Sequence, residues 1–70
     1  MKKVTIKEVG TMAGYEEYHN EYYCDGKKIG SSDYNKEQKL HVGSLEGTRK
    51  NLYGKTPQGI AFKMEKIINL

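Results

Sequence analysis

Two histidines, a single cysteine and a closely spaced pair of glutamates are the residues in these 70 that could carry chemistry. His19, Cys24 and His41 offer three metal donors. Structural zinc takes four ligands at paired spacings, and these positions match no such pattern. Thiol catalysis would need Cys24 beside a histidine held by a third group. On an extended strand Cys24 and His19 fall on opposite faces, which leaves only His41 to serve. Glu17 and Glu21 would share one strand face, but on an exposed sheet nothing drives their pKa values apart for acid–base work. Gly54-Lys55-Thr56 matches the end of a phosphate-binding loop. Arg49 stands where that loop needs its first glycine, and the chain is too short for the surrounding domain. These residues therefore predict a chain that is not an enzyme and takes no cofactor or metal.

Aromatic clustering carries more information. Five of the six tyrosines lie between Tyr15 and Tyr34, around an Asp25-Gly26 step. Asp-Gly tolerates the positive φ that a two-residue type I′ turn demands, so a hairpin is expected from about Glu16 to Tyr34. Its register would set Cys24 against Lys27, Tyr23 against Lys28, Tyr22 against Ile29 and Glu21 against Gly30. Alternation then puts Tyr18, Asn20, Tyr22, Cys24 and Ile29 on a core face. Glu17, His19, Glu21, Tyr23, Lys28 and Tyr34 fall on a wetter face. A tyrosine among charges is a common interface anchor, so Tyr23 and Tyr34, with Glu17, Glu21 and Lys28 beside them, are the expected partner contacts.

Seventy residues, 36% of them hydrophobic, make one compact domain spanning 1–70 with a small core. A partner or a homodimer would add burial. Met1-Lys2-Lys3 leads straight into Val4-Thr5-Ile6 without the apolar stretch of a signal peptide, and no run is long enough for a membrane helix. A lone cysteine offers no internal disulfide, which points to a reducing cytoplasm. Charge is uneven. Residues 15–26 carry Glu16, Glu17, Glu21 and Asp25 with no base, while the whole chain is +3. Residues 27–70 hold eight lysines and Arg49. Two binding readings follow: an inhibitor or adaptor docking on a protein or ribonucleoprotein, or a nucleic-acid binder. The second would use Lys27, Lys28, Lys36, Lys39, Arg49, Lys50 and Lys55 on phosphates, with a tyrosine stacked on bases.

The elements that must position these residues read as α+β: a small antiparallel β-sheet of three to four strands with one or two short helices. Lys2 to Val9 alternates as a first strand, and Gly10 to Gly14 reads as a loop. Ser31-Ser32-Asp33 and Asn35 with Gln38 offer helix caps. Tyr34, Val42, Leu45, Leu52 and Tyr53 approximate a helical stripe, so residues 36–53 read as one broken or two short helices, with Ser44 capping the second and Gly54 closing it. In residues 59–70, Ile60, Phe62, Met64, Ile68 and Leu70 alternate as a strand. A helical stripe with a Thr56-Pro57 cap competes. Phe62 falls opposite that stripe, which favours the strand.

Asp25-Gly26-Lys27-Lys28-Ile29-Gly30, then Asp33-Tyr34 and Glu37-Gln38, resemble the last hairpin and helix start of small phage-encoded type I anti-CRISPR proteins. Leu52-Tyr53-Gly54 with Pro57 and Gly59 continues the resemblance, which covers under a third of the chain. It implies a compact antiparallel sheet with helices that blocks a CRISPR effector by occupying its nucleic-acid or partner surface. It also implies that exposed sheet tyrosines and acids do the work, at positions matched here by Tyr18, Glu21, Tyr22 and Tyr23.

Overall fold

The computed structural model describes residues 2–10 and 18–70. Five antiparallel strands form a meander in the order β1-β2-β3-β4-β5: β1 Thr5–Gly10, β2 Tyr18–Cys24, β3 Lys27–Asn35, β4 Leu40–Leu45 and β5 Asn51–Gly54. One helix, α1 Pro57–Ile68, covers a single face of this sheet. The α+β class stands, with one more strand than expected and a single helix. The expected loop after Gly10, together with Tyr15, Glu16 and Glu17, lies outside the described residues.

The hairpin turn forms as its sequence requires, with Asp25 at φ 53° and Gly26 at φ 78°. Cys24 faces Lys27 and Tyr23 faces Lys28 as expected. Beyond that pair the register shifts by one, so Tyr22 faces Gly30 and Glu21 faces Ser31 rather than Ile29 and Gly30. A bulge adds one residue to one strand and reverses the parity of everything after it. Tyr34 consequently shares the helix-side face with Gly30 and Ser32, not the face of Tyr23 and Lys28.

Residues 40–45 and 51–54 are strands, not helices. Asn35 closes a turn and caps no helix: its Oδ1 accepts from the N–H groups of Glu37 (2.9 Å) and Gln38 (3.1 Å). The capped turn ends at Lys39, φ 55°, and β4 begins. Gly43, which weakens a helix, instead lets the sheet lie close under α1. A Cβ there would come within 3.1 Å of Ile60 Cγ2 and of the Ser31 carbonyl. At Gly30 a Cβ would meet Met64 Cε at 2.9 Å, besides colliding with the Ser44 carbonyl. Glycine inside a strand commonly marks such close approach.

The C-terminal segment is helical from Pro57 to Ile68, correcting the strand reading. Thr56 Oγ1 accepts from Gly59 N–H at 3.1 Å, and Pro57 opens the first turn. Phe62 is no obstacle, because it points outward at 56% exposure under the Lys66 ammonium. Ile60, Ala61 and Met64 face inward onto Tyr22 and Leu45, with Val4, Ile6, Ile29, Leu52 and Ile68 around them. Cys24 is buried on the same side of the sheet. The helix crosses from the end of β5 to the start of β1. There Glu65 Oε1 accepts from Val4 N–H, and Asn69 exchanges two hydrogen bonds with the Lys2 backbone, all at 2.9 Å.

Candidate interaction surface

With α1 on one side, the other face of the sheet has no covering layer among the described residues. Strand register arranges it in rows. Thr5, Tyr23 and Lys28 form the row nearest the Asp25 turn. Lys7, Glu21, Ser31, Ser44 and Asn51 form the next, followed by Val9, His19, Asp33, Val42 and Tyr53. Ser31, Asp33, Asn35, Val42, Ser44 and Asn51 line an open depression of about 710 Å³ across β3, β4 and β5.

Glu21 is the hub of this face. Lys28 Nζ lies 3.0 Å from Glu21 Oε2, the Tyr23 hydroxyl donates to Oε1 at 3.0 Å, and His19 Nε2 sits 3.7 Å from Oε2. Only 17% of the Glu21 side chain remains exposed. The Lys28 hydrogen bond, then that of Tyr23, hold the Glu21 carboxyl below its usual value of 4.5. The same bonds push Lys28 above 10.5 and the Tyr23 phenol above 10.0. The result is a pre-formed cluster in which Lys28 offsets the Glu21 charge.

Among the expected partner residues, the fold brings Glu21, Tyr23 and Lys28 together. Tyr22 is 0% exposed, with its hydroxyl 2.6 Å from Ser32 Oγ and its pKa raised by burial, so it belongs to the core and not to a surface. Tyr34 lies on the opposite face through the bulge, with its ring 5.0 Å from that of His41 at an edge-on 62°. Tyr18 opens β2, and Glu17 falls outside the described residues. Sequence reading missed Val42, Ser44, Asn51 and Tyr53, which it assigned to helices. Leu40 and Val42 alternating with His41 and Gly43, closed by Glu46-Gly47 with Gly47 at φ 85°, were the available signal.

The candidate phosphate-binding cations do not form one surface. Lys27, Arg49 and Lys50 lie at the sheet end with the Asp25 turn, where the β2–β3 and β4–β5 connections meet. Lys36, Lys39 and Lys55 lie at the other end, and Lys28 is tied to Glu21. Cys24 and His41 sit on the helix side, and His19 on the open face. Among the described residues no helix is long and apolar enough to cross a membrane, and no three metal-donor residues converge. No protein-family model, curated protein or solved structure matches the chain.

Proposed function

We propose that this chain is a small, non-catalytic inhibitor or adaptor that docks on a protein or ribonucleoprotein through the open face of its sheet. The observation that carries the reading is the cluster of Lys28, Tyr23 and His19 around Glu21 on a face that α1 leaves uncovered. Ordering these side chains in advance lowers the entropy cost of docking on them. Tyr23 and Tyr53 supply rigid amphipathic rings, and tyrosine is enriched among the residues that dominate binding energy. The hairpin's resemblance to type I anti-CRISPR proteins, together with this ring-and-acid face, makes a CRISPR effector the target of choice.

A phage-plating assay tests this directly. In a host whose type I CRISPR system targets the phage, expressing the wild-type chain should restore plaques. The double variant Glu21→Lys/Tyr53→Ala should not restore them, although it should remain folded by circular dichroism. Restoration by that variant would remove the open face from the function. No restoration by wild type would end the anti-defence reading and leave a different protein target to be sought.

A further inference from the structure

Strand register gathers a second feature at the Asp25 end of the sheet. Lys2 and Lys3 precede β1 there, Lys27 opens β3, and Arg49 and Lys50 precede β5. All five are exposed, and both ion pairs among the described residues belong to Glu21 instead. The acids at this end are exposed Asp25 and Glu46, with Glu65 committed to Val4 N–H. At the opposite end Lys36, Lys39, Lys55 and Lys63 stand with Glu8, Asp33 and Glu37. Among the described residues the Asp25 end is thus the more positive, with five exposed cations against two exposed acids.

That rim runs the width of five strands, about 19 Å at the usual strand spacing. The open face beside it carries Tyr23 in its first row, next to Lys28, whereas Tyr53 stands two rows further along the sheet. A line of cations bordered by aromatic rings is the arrangement that holds single-stranded nucleic acid, with phosphates on the cations and bases on the rings. Glu21 would not repel such a strand, because Lys28 already neutralises it. We propose that this rim, Lys2, Lys3, Lys27, Arg49 and Lys50, is a phosphate-backbone contact for single-stranded nucleic acid, with Tyr23 beside it as the stacking ring. Docking of the open face on a protein target is a separate matter, and either can hold without the other.

Fluorescence anisotropy with a short oligothymidylate tests the proposal. Five phosphate contacts on a single strand predict a log–log salt slope of about −3.5, or roughly a hundredfold weakening between about 50 and 200 mM salt. The triple variant Lys27→Gln/Arg49→Gln/Lys50→Gln should flatten that slope by about 2. Lys39→Gln/Lys55→Gln, at the other end, should leave it unchanged. Tyr23→Ala should weaken binding about fivefold or more without altering the slope. Glu21→Lys should retain or strengthen oligonucleotide binding while it abolishes inhibition in the plating assay, which separates the two surfaces. Thermal midpoints of all variants provide the folding control. The proposal is overturned if the oligonucleotide fails to bind at low salt, or if variants at both ends flatten the slope alike. Tighter binding to phosphatidylserine vesicles than to the oligonucleotide, lost in the triple variant, would also overturn it by assigning the rim to lipid.

Discussion

Glu21 shows how one carboxylate organises a surface. Its folded pKa lies below 4.5, so its share of stability is present above the unfolded value and is lost as pH falls through the folded one. Lys28 and Tyr23 are shifted up from 10.5 and 10.0, so their share is present below those values and is lost as pH rises through the folded ones. The cluster should therefore hold throughout the neutral range. Substituting Lys28→Met should return the Glu21 pKa toward 4.5, as followed by NMR titration of its side-chain carboxyl. An unmoved titration would mean that Lys28 does not engage Glu21 in solution. Tyr22, one residue away, has the opposite fate through strand alternation alone. On the helix side with it, buried Cys24 acts as a small hydrophobe, so Cys24→Ala should lower stability by about 1 kcal/mol and leave target binding intact. Loss of binding by a folded Cys24→Ala would restore a thiol role.

At the level of elements, local chemistry was readable where a single residue pair dictates backbone geometry. Asp25-Gly26 specified its turn, and Thr56-Pro57 specified the start of α1. The Phe62 argument failed because it assumed that every large apolar side chain must be buried, which no helix requires. The bulge beside Tyr22 was not legible, since neither Ile29 nor Gly30 marks which of them is left unpaired. Gly43 was read by its helix cost, when its cause lies in a tertiary contact with Ile60. That contact logic has a consequence at Gly30. A methyl there strikes Met64, which can move, but also the Ser44 backbone carbonyl, which cannot move without disturbing the β3–β4 ladder. Gly30→Ala should cost about 1–3 kcal/mol in chemical denaturation, and trimming Met64 should not recover it. If Gly30→Ala costs nothing further in a Met64→Ala background, side-chain crowding alone sets the cost. Thr56→Ala, which removes the cap, should cost about 1 kcal/mol, or about 4–8 °C in thermal midpoint for a domain of this size.

For the molecule as a whole, the two sides of the sheet differ: the helix side holds the fold together, and the other side carries no covering layer among the described residues. Sequence alone placed Glu21, Tyr23 and Lys28 on one wet face correctly. It could not add Tyr53 and Val42, because their membership depends on which strands neighbour which. A 70-residue domain has only about 4–10 kcal/mol of net stability, so the inner face has little to spare. Ile60→Ala or Met64→Ala should cost about 2–5 kcal/mol, most of that stability at its low end, and raise the unfolded fraction measurably. Tyr53→Ala should change stability by no more than about 0.5 kcal/mol, and Glu21→Lys, which gives up the Lys28 and Tyr23 bonds, by about 1 kcal/mol, so both stay folded. If the open face is the working surface, activity should collapse in the second pair at full structure, and in the first pair only in proportion to unfolding. Plotting plating efficiency against folded fraction for the four variants makes the distinction. Inner-face variants should lie on one line through wild type, with both open-face variants far below it. All four on a single line would mean that the open face contributes nothing beyond the fold.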